Sequence, residues 1–115
     1  MDARVKLGTM GSRNKKLRAF TNGGTVFIDE HRLDVLARRH PQDYLRILEK
    51  VVRLIGNATT FTGVTDADGN RIVFLGELEL YFDAVLMGSI FKAKFIKIPE
   101  GWGLIEVTER SQISL

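Results

Sequence analysis

Two histidines and a set of cationic side chains are the residues of this chain whose types suit acid–base and phosphate chemistry. His31 and His40 flank a segment rich in arginine, and three lysines recur along a later apolar stretch. Histidine suits proton transfer because its reference pKa is about 6.5. Arginine and lysine stabilise charge that develops on a phosphate, and they hold neighbouring phosphates. The candidate residues are His31, Arg32, Arg38, Arg39, His40, Lys92, Lys94, Lys97, Thr108, Arg110 and Ser111.

These residue types match the requirements of RNA cleavage without a metal. A base must remove the 2′-hydroxyl proton, and an acid must protonate the leaving 5′-oxygen. We therefore predict an endoribonuclease-like domain that cleaves RNA through a 2′,3′-cyclic phosphate. Cations grip the RNA backbone, and an aromatic ring can stack on a base. The predicted RNA contacts are Arg39, Lys92, Lys97, Trp102 and Arg110.

The same residues also have structural interpretations. His40 precedes Pro41 and could cap the C-terminus of a helix, where basic side chains are favourable. His31 could be an exposed polar residue in the first turn of that helix. Lysines that alternate along a strand are typical of a solvated sheet face, and Trp102 could cover the end of the sheet. The sequence leaves both sets of interpretations open.

Several classes of site are excluded by composition and spacing. The chain has no cysteine, which excludes disulfides, thiolate nucleophiles and zinc–cysteine sites. No phosphate-binding loop, zinc spacing or EF-hand pattern is present. The two histidines are nine positions apart, unlike the i, i+4 pair of a helical metal site. We therefore expect neither a metal nor a cofactor.

Two helices followed by about four strands must position these residues. Residues 28–55 predict two helices hinged at His40-Pro41, because the residue before proline is disfavoured in the α region. Asp29 is the expected N-cap of the first helix, and Gly56 the expected C′ residue of the second. The predicted strands are 59–64, 71–75, 89–98 and 104–108. This order predicts an α+β fold with N-terminal helices packed on one face of a roughly four-stranded antiparallel sheet.

Charge divides the 115 residues into two parts. Residues 1–23 hold six basic residues and one acidic residue, a formal charge of +5, whereas residues 24–115 carry −2. We predict a basic, mostly irregular leader over 1–23, in which 5–7 could add a short edge strand and 15–20 could make a helical turn, and a single α+β domain over 24–115. Such a leader could contact nucleic acid, be a solvated tail, or be the stub of a longer protein. No apolar run is long enough to span a membrane and no secretory h-region follows the basic residues, so we expect a cytoplasmic protein without membrane contact.

Three segments resemble motifs of the phage-encoded barnase/EndoU/colicin/RelE-like (BECR) nuclease domains. They are IDEH at 28–31, ARRHP at 37–41 and GNA at 56–58, the last at the end of an aliphatic helix. Domains of this family have a histidine early in the first helix and an (R/K)-H-P-like segment at its end. An N-P step commonly follows their second helix, where this chain has Asn57-Ala58. The resemblance covers about residues 25–111.

The resemblance implies helices followed by a four-stranded antiparallel sheet that carries a metal-independent nuclease site. Such domains occur as toxin or effector tails of phage structural proteins, and some members lack shown nuclease activity. The expected partners are RNA and a protein partner or immunity protein. The implied catalytic residues are His31, His40, Lys94 and Thr108, with Lys92 as an alternative strand cation.

Two other functions compete with the nuclease. One is a non-catalytic phage or bacterial accessory protein that binds a protein or nucleic-acid partner. The other is a small structural module whose exposed sheet edge mediates assembly. The nuclease alone requires His31 or His40 to face the strand that carries Lys92 and Lys94.

Overall fold

Three helices and six strands form an α+β fold in the computed structural model of the chain. The structure describes residues 3–82 and 86–114, with side chains for residues 3–77 and 91–109. The elements are β1 Arg4–Thr9, α1 Lys15–Thr21, β2 Thr25–Asp29, α2 Glu30–Arg39, α3 Tyr44–Asn57, β3 Thr60–Thr65, β4 Arg71–Phe82, β5 Leu86–Ile98 and β6 Gly101–Ser114.

The sheet has the strand order β1-β2-β6-β5-β4-β3 and is mixed. Strands β3 to β6 form an antiparallel meander. The prediction of four antiparallel strands is nevertheless wrong in number and in direction. Strand β2 pairs in parallel with β6 over Thr25–Phe27, and β1 adds antiparallel to β2. The parallel pair joins segments far apart in the chain, so no local turn signal announces it.

Residues 1–23 are more ordered than the mostly irregular leader that was predicted, because the possible edge strand at 5–7 and the possible helical turn at 15–20 are β1 and α1. Strand β1 forms one edge of the sheet, and α1 begins at Asn14, whose side chain accepts hydrogen bonds from the amides of Lys16 and Leu17 at 3.0 and 3.2 Å. Met10 and Leu17 are fully buried. Apolar residues spaced among the cations therefore anchor this basic segment to the core.

Helices α2 and α3 confirm the predicted hinge at His40-Pro41. The Asp29 carboxylate accepts from the amide of Arg32 at 2.7 Å, which is the predicted N-cap. The predicted C′ role of Gly56 is wrong, because α3 continues to Asn57. Amides of the β1–α1 connection supply the missing donors: Gly11 donates to the Ile55 carbonyl at 2.6 Å, and Arg13 donates to that of Gly56 at 3.0 Å. A tertiary contact thus replaces the left-handed glycine that often ends a helix.

One hydrophobic cluster joins the helices to one face of the sheet, which we call the helix face. Phe91, Ala93 and Phe95 of β5 are buried in this cluster with Val51 and Leu54 of α3. Because successive strand residues point to opposite sides, the residues between them project to the other side, which we call the open face. The amphipathic pattern of β5 was predicted, and its apolar side is the one that the helices cover.

A register shift in the β5–β6 pair shapes the end of the helix face. Lys94 pairs with Glu106 and Phe95 with Leu104, so Ile105 is the extra residue of a bulge in β6. Leu104 and Val107 consequently both face the helices. Among the described residues, no helix has the length and apolar character needed to cross a membrane.

Candidate functional site

A groove runs between α2 and β6 on the helix-face side of the molecule. Its volume is about 420 Å³. The floor is aliphatic, and four basic residues together with the acidic residue Glu106 border it. The lining residues are Ile28, His31, Arg32, Val35, Leu36, Arg39, His40, Leu104, Ile105, Glu106 and Val107.

Helix α2 forms one wall of the groove, and the helical spacing of its residues decides which side chains face the groove. Residues four apart lie on the same side of a helix, so His31, Val35 and Arg39 are aligned along the groove. Leu36 packs against the core and fixes the depth of the helix. The alternation of apolar and basic residues along α2 therefore gives a wall with an aliphatic base and a cationic rim.

The opposite wall is a strand edge that no other strand occupies in the described part of the chain. Strand β2 pairs with β6 only at Gly101–Gly103, and the chain then enters α2 at Glu30. From Leu104 onward, β6 is paired with β5 on its other side alone. Its backbone donors and acceptors on the α2 side border the groove.

Arg32 bridges the end of β2 and this edge. Its Nη1 donates to the Ile105 carbonyl at 3.4 Å, and its Nε lies 3.0 Å from the Asp29 carboxylate. The guanidinium thus satisfies the first acceptor of β6 after the β2 pairing ends. Arg32 also lines a depression of about 210 Å³ on the open face, so it lies at the boundary between the two faces.

His31, Arg39 and His40 are exposed on the groove rim. None of the ion pairs among the described side chains involves Arg39, whereas the neighbouring Arg38 pairs with Asp34 one turn away. Nine residues separate the two histidines, which corresponds to about 13 Å along a helix axis. They are therefore spaced along the groove and do not share one point of it.

The predicted strand residues lie on the open face, away from the histidines. Lys92 lies between the buried residues Phe91 and Ala93 of the helix face, and it is paired with Thr108, so both project to the open face. The ammonium of Lys94 lies 5.6 Å from the centre of the Phe74 ring. The expected meeting of His31 or His40 with Lys92, Lys94 and Thr108 is therefore wrong: the sheet separates the two sets.

Two further predicted contacts have structural roles. Trp102 is fully buried, and its Nε1 donates to the Gly23 carbonyl at 3.0 Å, so its predicted stacking on a base is wrong. Lys97 donates from Nζ to the carbonyls of Ile98 at 2.7 Å and Gly101 at 3.0 Å, and it lies over the Trp102 ring. Lys97 thereby closes the β5–β6 turn. The side chain of Arg110 lies outside the described residues.

An ion-pair cluster lies on β6 just beyond the groove. Arg46 of α3 binds Glu109 through two hydrogen bonds at 3.1 and 3.3 Å, and the Lys50 ammonium lies 3.7 Å from the same carboxylate. The hydrogen bonds from Arg46 hold the pKa of Glu109 below its ordinary value, with a smaller contribution from Lys50. This carboxylate is therefore already occupied by α3.

No group of acidic, histidine or cysteine side chains suited to a metal ion occurs among the described residues. Comparisons with protein-family models, curated proteins and solved structures found no match to the chain. Membership of the BECR nuclease family stays a prediction. The sequence reasoning missed the aliphatic floor and the free edge of β6, although Val35 and Leu36 between two basic turns were a visible signal.

Proposed function

We propose that the chain is a non-catalytic binding module that takes an acidic partner segment into the groove between α2 and β6. One observation carries the proposal: four basic side chains rim a groove whose floor is aliphatic. Surface grooves with an apolar floor and a few polar groups are the usual form of a binding site. The arginine guanidinium groups of the rim favour carboxylates and accelerate their approach.

Arg39 is the residue expected to contribute most. It is exposed on the rim, and the described carboxylates are not paired with it. A bidentate contact with a partner carboxylate therefore forms without breaking an existing ion pair. Arg32 is less available because it already binds Asp29 and the Ile105 carbonyl.

A second candidate is the predicted metal-independent endoribonuclease. It is favoured by His31, His40 and Arg39 lining one groove, since an acid, a base and a cation are its minimum requirements. The strand lysines and Thr108 that this mechanism was expected to use lie across the sheet. The binding module requires no such convergence, and for that reason we favour it.

The test is fluorescence anisotropy with a labelled peptide of about nine residues, in which threonine alternates with glutamate or valine. We expect saturable binding to the full chain and none for a peptide with lysine in place of glutamate. Arg39→Ala should weaken binding about tenfold, the effect of one lost charged hydrogen bond. The matched control is Arg38→Ala, one residue away on α2 but outside the groove, which should bind within about twofold of the parent.

Incubation of the full chain with labelled RNA in EDTA separates the two candidates. The binding module leaves the RNA intact. RNA cleavage that is lost in His40→Ala, together with absent peptide binding, would establish the nuclease and defeat the binding proposal.

A further inference from the structure

We infer that the acidic segment binds as an additional β-strand, hydrogen-bonded to the free edge of β6. This inference rests on the proposed function and specifies how the partner is held. The site is the β6 edge from Leu104 to Val107, which forms the sheet-side wall of the groove. The occupant is an extended peptide with apolar and acidic side chains.

In the part of the chain that the structure describes, the β6 edge on the α2 side lacks a neighbouring strand from Leu104 onward because the chain leaves the sheet at the end of β2. A strand paired to β6 over Gly101–Gly103 would ordinarily continue beside Leu104 and Ile105, but the Asp29 cap turns the chain into α2. Helix α2 then packs through Leu36 on the helix face, beside the place where the strand would have continued. An added peptide would occupy that place and extend the line of β2.

Unpaired strand edges attract extended chains because their amides and carbonyls lack partners. In the described part of the chain, the Ile105 carbonyl is satisfied by Arg32, and the next positions of the edge have no strand beside them. An extended peptide rises about 3.3 Å per residue, so the groove-lining segment of β6 matches about four peptide residues. Main-chain pairing supplies affinity there without demanding a particular sequence.

The side chains that line the groove indicate which residue types the bound peptide should have. Leu104 and Val107 lie on the same side of β6 because of the bulge at Ile105, and they offer two apolar contacts beside α2. The basic rim residues on α2 lie above this floor, opposed by Glu106 alone among the lining residues. Valine-like residues suit the floor, and carboxylates suit the rim.

A single-stranded nucleic acid is the weaker occupant. Such ligands bind where bases stack on aromatic rings. The groove lining contains no phenylalanine, tyrosine or tryptophan among the described residues. The free backbone edge and the aliphatic floor are the features that a peptide uses and a nucleic acid does not.

The experiment compares two N-methylated forms of the same Thr/Glu/Val peptide. One form carries methyl groups on every second amide, and the other carries them on the alternate amides. A strand presents alternate residues to its neighbour, so only one form can still pair with β6. We expect one form to lose at least about tenfold in affinity and the other to stay close to the unmethylated peptide. Because only the peptide is altered, folding of the chain is not in question.

Hydrogen exchange on the full chain supplies an independent readout. The peptide should slow exchange of amides within 104–109 and leave those of β3, at the opposite edge of the sheet, unchanged. Equal behaviour of the two methylated forms, whether both bind or both fail, overturns strand pairing while groove binding by the parent peptide still stands. Absence of binding by the unmethylated peptide overturns the proposed function as well. Self-association of the chain that protects 104–109 without peptide overturns the inference in favour of a second copy.

Discussion

Basic residues occur both on the helix face beside α2 and on the open face of the sheet, but they make different contacts on the two faces. On the helix face, Arg39 and His40 rim a groove over buried aliphatic residues. On the open face, the Lys94 ammonium lies over the Phe74 ring of its own sheet. A cation that already covers an aromatic ring contributes to solubility and to local packing. A cation beside a strand edge that no described strand occupies remains available to a partner, and this difference is why we propose the groove as the binding site.

The largest loss of stability is expected from a substitution at Gly101, where β6 pairs with β2 beside the groove. Gly101 has φ of +148°, and a Cβ there would overlap the carbonyl oxygen of Thr25 in β2. Gly101→Ala should therefore destabilise the fold by about 3 kcal/mol and disrupt the β2–β6 pair. Gly69→Ala is the matched control, since Gly69 also has positive φ but has nothing within 4 Å of the added atom. Urea denaturation should show a loss of only about 1 kcal/mol for that variant. Equal losses would contradict a steric role for Gly101.

A pair of valines compares the two faces directly. Val73 is fully buried on the helix face, whereas Val64 lies on the open face and is 53% exposed. Val73→Ala should cost about 2 kcal/mol because it leaves a cavity in the core. Val64→Ala should stay within about 0.5 kcal/mol of the parent. A substantial loss at Val64, measured by thermal and urea unfolding, would mean that the open face is covered in solution.

Lowering the pH should weaken the ion-pair cluster of Arg46, Lys50 and Glu109. The resulting loss of stability should be smaller than that of Val73→Ala. The pKa of Glu109 is lowered in the fold, chiefly by hydrogen bonds from Arg46, so its contribution to stability is present above about pH 4.5. That contribution is lost as pH falls through the lowered pKa. The carboxylate is partly exposed, so Glu109→Gln should cost less than about 1 kcal/mol at neutral pH. The difference from the parent should shrink as the pH falls below about 4.5, and urea denaturation at neutral pH and at successively lower pH values measures it.

The smallest effect is expected for the open-face lysines. A Lys92→Ala/Lys94→Ala double variant should bind the acidic peptide within about twofold of the parent, because both residues lie across the sheet from the groove. Fluorescence anisotropy at moderate salt checks this. A loss as large as that of Arg39→Ala would move the binding site to the open face.

Local signals in the sequence were enough for α2, α3 and the hairpins. The Asp29 cap, the His40-Pro41 hinge and the Asp66–Asn70 turn each depend on residues a few positions apart. The parallel β2–β6 pair depends on residues far apart in the chain, so no such signal exists for it. The α3 C-terminus was predicted incorrectly for the same reason, since its capping amides belong to residues 11 and 13.

The candidate site was only partly predictable. The histidines and Arg39 do share a groove, but their expected meeting with Lys92 and Lys94 conflicted with the alternation of β5 itself. Helices must cover the apolar side of a sheet. Since Phe91 and Phe95 lie on that side, the lysines between them had to face away from any helix-borne histidine. The sequence of β6 has no clear pattern that predicts the bulge at Ile105, which shapes the groove floor.

The parallel pairing of β2 with β6 also determines the stage of synthesis at which the groove can form. Thr25 is paired with Gly101, 76 positions later in the chain. Closing so long a loop is slow, and it cannot start before residues 101–103 have left the ribosome. A nascent chain that has completed α1, α2, α3 and the β3–β4 hairpin still lacks one wall of the groove. A partner that binds the groove, as we propose, would therefore bind only after the residues of β6 have been synthesised.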